Sequence, residues 1–228
     1  MSRITKEQEL IVRKNFEDYM NTYGNLYPEH VREFIEGTFL GEGFEMDFYP
    51  DVMHQVYSKI GVYDFTDNFY DMCIREIQKN YSLDKNIIDV GCGFYPAFAE
   101  RVAKLQHDGS VTAMDYDLIT TEHGTVKLIK DTFTENTNLT KYDLVLGIMP
   151  CEATVPMIKN ANKNDIDLFI QLCGCTHFEN PNPFMPITLD MWYLYLDHVL
   201  KSTIPDSRTY SFYHPEWAMY PIIKTKKK

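Results

Sequence analysis

The chain has 228 residues, a net charge of −11, and 44% hydrophobic and 24% charged side chains, which excludes disordered, collagen-like and fibrous classes. No apolar run reaches the roughly 18 residues a membrane helix requires, and the first residues are charged with no hydrophobic signal core. An acidic body lacks the electrostatic footprint of a nucleic-acid binder, so the expectation is a cytoplasmic protein whose partner is neither a membrane nor a nucleic acid.

Residues 1–85 read as a helical N-terminal cap. Val12, Phe16, Tyr19 and Tyr23 recur at helical spacing. Val31, Phe34 and Ile35 mark a second short helix after Pro28. Gly37, Gly41, Gly43 and Pro50 punctuate a loop, and a third helix is expected over 51–60. Tyr70, Ile74, Ile77 and Tyr81 repeat the same stripe, with Thr66 or Asp67 as its cap. Residues 86–228 alternate between strands and helices: strands are expected at 86–90, 110–114, 125–130, 142–146 and 167–172, and helices at 96–106, 152–162 and 188–201. Such alternation implies a parallel sheet covered on both faces. Arg208–His214 and Ala218–Lys224, separated by Pro215-Glu216-Trp217, predict a terminal β-hairpin. The last lysines read as a frayed, solvated end.

The segment Ile87-Ile88-Asp89-Val90-Gly91-Cys92-Gly93 runs from an apolar strand into a glycine turn, and Pro96 opens the next helix. Ligands of open parallel sheets bind at such strand ends, and glycine permits both the sharp turn and the close approach of a ligand. A dinucleotide fingerprint has a third glycine where this chain has Pro96. Proline lacks the N–H that a pyrophosphate would use. Asp89 places a negative charge just before the turn, which suits a cationic ligand better than a phosphate.

In that setting the run from Asp89 to Gly93 resembles motif I of the class I S-adenosylmethionine-dependent methyltransferases, with a resemblance that extends over 87–228. It implies an α/β, Rossmann-like, mostly parallel seven-stranded sheet with a C-terminal antiparallel hairpin, the helical cap lying outside it. It implies S-adenosyl-L-methionine as the cofactor. Asp89, Gly91, Cys92 and Gly93 would lie along its methionine portion. Asp115, with Tyr116 beside it, resembles the acidic residue that bonds the ribose hydroxyls, and Asp131-Thr132 the pair that contacts adenine. Gly147 and Met149 belong to the segment resembling motif IV, beside the transferred methyl. The chain departs from the family at Phe94-Tyr95-Pro96, where a further glycine is frequent. It departs again at Gly147-Ile148-Met149-Pro150-Cys151, which lacks the Asp/Asn-Pro-Pro-aromatic run of DNA amino-methylating enzymes.

Glu152 and His177, just beyond strand ends, are the candidate general bases. Tyr63 and Phe65 stand where the family often has a lid, and an aromatic face there suits a sulfonium. Cys173-Gly174-Cys175-Thr176-His177 has metal-ligand residue types, but a structural zinc site takes four ligands and the chain has no second cysteine pair; no metal is expected. Cys151 follows a proline as in pyrimidine C5-methylating enzymes, without the other motifs of that group. The reading is methyl transfer to a small neutral or cationic molecule, with the cap as the substrate wall. Its alternatives are a non-catalytic S-adenosylmethionine-binding sensor or partner subunit, and transfer of the aminocarboxypropyl arm of the same cofactor. The oligomeric state and the acceptor atom are not legible.

Overall fold

The computed structural model describes residues 62–93, 96–118, 124–176, 188–218 and 220–228, with backbone only over 62–68, and six helical positions between 7 and 21. The expectations for the stripe of Val12, Phe16, Tyr19 and Tyr23, for the segments 31–60, for the side chains of Tyr63 and Phe65, and for His177 lie outside these residues. The chain divides into two compact units, Met1–Ile74 and Arg75–Lys228.

The first described element, helix α1 (Val62–Gln78), crosses that division. Its buried stripe of Cys73, Ile74 and Ile77 follows helical spacing. The helix begins before Thr66 and Asp67, which lie within it rather than capping it, and it ends before Tyr81. Tyr81 is buried beyond the helix, and its hydroxyl donates to the carbonyls of Leu168 at 2.9 Å and Thr225 at 3.1 Å.

The second unit is one sheet with helices on both faces. In chain order its elements are β1 (Asn86–Val90), α2 (Ala97–Leu105), β2 (Ser110–Asp115), β3 (Lys127–Lys130), β4 (Leu144–Ile148), a short turn of 3-10 helix (Cys151–Ala153), α3 (Thr154–Lys163), β5 (Asp167–Gln171), α4 (Leu189–Thr203), β6 (Arg208–Tyr213) and β7 (Ile222–Lys227). The order across the sheet is β3-β2-β1-β4-β5-β7-β6. The first five strands run parallel, and β7 is antiparallel to both β5 and β6. The connection reverses direction between β1 and β4, which makes the carboxyl ends of these strands the switch point of the sheet.

Alternation along the strands builds two cores. Ile88, Val90, Val145, Leu168, Ile170 and Ile223 face α3 and α4, where Met157, Ile158, Trp192 and Leu196 close the layer. Ile87, Val111, Leu144, Leu146 and Phe169 point to the opposite face and are buried there. Thr188 caps α4, its hydroxyl accepting from the Met191 N–H.

Three sequence expectations shift. Strand β4 lies two residues later than its apolar run suggested, because Asp143 remains outside and accepts the Asn86 N–H at 3.0 Å. Strand β7 begins at Ile222 rather than Ala218. The lysine-rich end is not frayed: Lys224–Lys227 belongs to β7, and Thr225 within it is fully buried.

Candidate functional site

The site is built where β1, β2 and β4 end side by side. Asp89 pairs with Ala113 of β2 and Leu146 of β4, so its side chain lies on the same sheet face as theirs. It is 1% exposed, and neither carboxylate oxygen has a hydrogen-bond partner among the described residues. It therefore does not cap the following turn. Burial, reinforced by the nearby Asp115 carboxylate, pushes its pKa from 3.8 up to about 8.

The turn after β1 passes through left-handed backbone at Gly91 (φ 71°) and Gly93 (φ 76°). A Cβ on Gly91 would come within 2.8 Å of the Pro150 Cα, so a side chain is excluded by the segment after β4. A Cβ on Gly93 would meet no described atom within 4 Å, which leaves the backbone open to a ligand. Between them Cys92 is partly exposed, and burial together with Asp89 and Asp115 pushes its thiol pKa up.

Asp115 ends β2 two residues beyond Ala113, on the Asp89 face. Its carboxylate accepts the Gly93 N–H at 2.8 Å and the Asp117 N–H at 2.8 Å, tying the glycine turn to the end of the second strand. Tyr116 beside it is 54% exposed. Asp131 donates its N–H to the Asp115 carbonyl at 3.2 Å and accepts the Thr132 N–H on its own side chain at 2.8 Å. Asp131 and Thr132 are exposed. The sequence thus names residues that the fold brings to one edge: Asp89, Gly91, Cys92, Gly93, Asp115, Tyr116, Asp131 and Thr132.

After β4 the chain is forced into an unusual path. Met149 (φ 56°) and Cys151 (φ 47°) both adopt left-handed backbone although neither is glycine. Such outliers cost of order 1–3 kcal/mol each and gather at functional sites. The Met149 N–H is fixed by the Gln171 carbonyl at 2.7 Å, and Pro150 wedges toward Gly91. Gly147 does not share the Asp89 face: a Cβ there would strike Met157 of α3 at 2.6 Å and Pro150 at 2.9 Å, so it serves packing beneath the wedge. Glu152 is exposed in the turn that follows.

Sequence reasoning missed two features here. Gln171 ends β5 on the Asp89 face, with its amide nitrogen on the Tyr220 carbonyl at 2.8 Å and its Oε1 unpartnered among the described residues. Cys151 also meets Cys173 and Cys175, their thiol sulfurs lying within 4.8 Å of one another. Only strand order joins these positions, and residues after two different strands give no local signal.

Five parallel strands with the switch point between β1 and β4, a closing antiparallel pair in the order β7-β6, and a glycine turn facing an acidic second-strand end decide the architecture. The fold is the Rossmann-like, mostly parallel seven-stranded sheet with a C-terminal antiparallel hairpin that the sequence resemblance implied. No protein-family model matches the chain, and no curated protein sequence does. Solved structures similar to it include a ribosomal protein L11 methylase from Lactobacillus delbrueckii subsp. bulgaricus, at 15% identity, covering 68% of this chain and 76% of that one, with a TM-score of 0.47. A methyltransferase from Pyrococcus furiosus is similar at 10% identity over 68% of this chain and 81% of that one, with a TM-score of 0.44. Human N-acetylserotonin methyltransferase, in complex with S-adenosylmethionine, is similar at 14% identity over 95% of this chain and 65% of that one, with a TM-score of 0.45. Within the sheet of this chain, the Asp89–Gly93 turn occupies the first strand end at the switch point.

Proposed function

We propose that the protein binds S-adenosyl-L-methionine and transfers its methyl group to a small molecule. The observation that carries this reading is Asp89: a buried carboxylate with both oxygens unpartnered among the described residues, at a switch point, beside a glycine turn with open backbone. A group in that position is stabilised by a cationic ligand and destabilised by a phosphate. S-adenosylmethionine carries an ammonium and a sulfonium and no phosphate, so the donor set fits it.

Asp89, Gly91, Cys92 and Gly93 would bind the methionine portion. Asp115, oriented by two backbone N–H groups, would bond the vicinal ribose hydroxyls. Asp131 and Thr132 would lie along the adenine, and Tyr116 is exposed beside them. The cofactor, when bound, supplies a methyl carbon on a positively charged sulfur. In-line attack by an acceptor on that carbon would break its bond to sulfur, with the electron pair remaining on sulfur. The chain's part is to orient the acceptor in line and exclude water. Pro150 of the strained Met149-Pro150-Cys151 segment lies against Gly91 of the motif I turn, and Glu152 just beyond it is the described candidate to take the acceptor's proton.

Thermal unfolding with S-adenosylmethionine, S-adenosylhomocysteine and NAD in parallel tests the cofactor. A ligand at about 100 times its Kd adds about 2.7 kcal/mol, about 5–11 °C for a chain of this size. A shift with both adenosyl ligands and none with NAD is expected, and Asp115→Ala should lose it while retaining the circular dichroism of the sheet. A shift with NAD alone sinks the reading. Methyl transfer is then separated from aminocarboxypropyl transfer by whether the nucleoside product keeps its amino acid.

A further inference from the structure

The ends of β4 and β5 bring together three cysteines that are far apart in sequence. Ile148 pairs with Gln171, so the segments following the two strands emerge side by side. Left-handed backbone at Met149 and Cys151 then turns the first of them toward the second. Cys151 and Cys173 end with their sulfurs 3.7 Å apart, and both lie within 4.8 Å of the sulfur of Cys175. None of the three is in a disulfide.

We propose that Cys151, Cys173 and Cys175 form a three-thiolate site for a thiophilic divalent cation, zinc being the natural occupant. Geometry supports it first. A tetrahedral centre with metal–sulfur bonds of about 2.3 Å holds its sulfurs about 3.8 Å apart. The 3.7 Å between Cys151 and Cys173 already matches that edge, and the third sulfur is within an ångström or so of it, inside the reach of one rotamer adjustment. Packing does not account for the group. Cys173 is buried, but Cys175 is exposed and Cys151 sits on strained backbone. A strained non-glycine residue that aims a thiol at two others is what a ligand site requires and a filler residue does not.

On binding a divalent cation the three thiols lose their protons to solvent, three metal–sulfur bonds form, and the site carries one net negative charge. Among the described residues no fourth histidine, cysteine or carboxylate joins the group. Three thiolates leave one tetrahedral position for a further donor. The site does not depend on the identity of the cofactor, since none of its ligands is among the residues assigned to the adenosyl group.

The test uses the full chain, reduced and stripped by a chelator, then titrated with Co²⁺ and back-titrated with Zn²⁺. Expected are intense visible bands of tetrahedral cobalt and thiolate-to-cobalt charge transfer, saturating at one metal per chain and erased by zinc with release of protons. Cys151→Ser and Cys175→Ser should each weaken zinc binding by at least about 100-fold, beyond the loss typical of an outer-shell partner. Cys175 is exposed, so its variant folds even if a substitution at buried Cys173 does not. Cys92→Ala should leave the cobalt spectrum unchanged. A weak octahedral spectrum, a spectrum that survives Cys175→Ser, or a Cys151–Cys173 disulfide persisting in reductant overturns the proposal.

Discussion

At the scale of single residues, Asp89 carries a stability cost that binding can relieve. A carboxyl whose pKa rises on folding, here from 3.8 to about 8, keeps its proton in the native state while the unfolded chain has lost it. Native stability therefore falls as pH rises through that window. Asp89→Asn removes the titration: it should match the parent near pH 4 and exceed it by about 1–3 kcal/mol at pH 8, the scale of a buried unsatisfied group, while losing the cofactor's thermal shift. Equal melting curves at both pH values would contradict the burial argument. The parent's affinity for S-adenosylmethionine should climb toward pH 8 as Asp89 ionises and then fall as the ligand's own amine, with a pKa near about 8, deprotonates. Titration calorimetry across that range reads it. Gly91→Ala places a Cβ 2.8 Å from the Pro150 Cα in left-handed backbone, and a loss of roughly 1–3 kcal/mol is expected in urea unfolding. Asp89 and its glycines were legible because a strand, an acid and two glycines are consecutive. The contortion at Met149 and Cys151 was not, because neither residue type announces positive φ.

Among the elements, β7 shows what composition conceals. Its run of lysines resembles a solvated tail, yet its backbone is paired on both sides and Lys224 is drawn onto the sheet. The Lys224 ammonium contacts Glu76 at 3.2 Å and lies 4.4 Å from the centre of the Tyr213 ring. Glu76 comes from the last turn of α1, nearly 150 residues earlier, a partner no local reading supplies. Although burial pushes Glu76 up, hydrogen bonds from Lys79, Tyr213 and Lys224 overcome it and hold the carboxyl at about 2, against an ordinary 4.5. This depressed group contributes stability above pH 4.5 that is lost as pH falls toward 2. Tyr213→Phe should make acid unfolding, followed by circular dichroism, start at higher pH. An unchanged acid midpoint would remove Tyr213 from the account. Most strand limits were read within a residue or two, whereas α1 begins before Thr66 and Asp67 and ends before Tyr81. Apolar stripes set the helix faces but not their ends, and strand β4 is displaced by the Asp143 contact with Asn86.

For the whole molecule, alternation implied a parallel sheet and the resemblance a mostly parallel seven-stranded one with a C-terminal antiparallel hairpin, and the structure adds the strand order 3-2-1-4-5-7-6. The thiol cluster and the Glu76 contact depend on strand order rather than on any one segment, so they emerge only from the folded sheet. The described helices include none long and apolar enough to cross a membrane.

The position of β7 governs how the sheet can be assembled. It inserts between β5 and β6, which both precede it in the chain, so β5 presents an open edge until β7 arrives. Its partners at Leu168 and Phe169 are more than fifty residues away. Pairing over such separations is slow, and an unpaired apolar edge templates association with other chains. A chain ending at residue 221 should therefore be recovered in aggregates rather than as a folded monomer, a result size-exclusion chromatography would show. Refolding of the intact chain should lose yield as its concentration rises, because β7 then competes with neighbouring molecules for the same open edge.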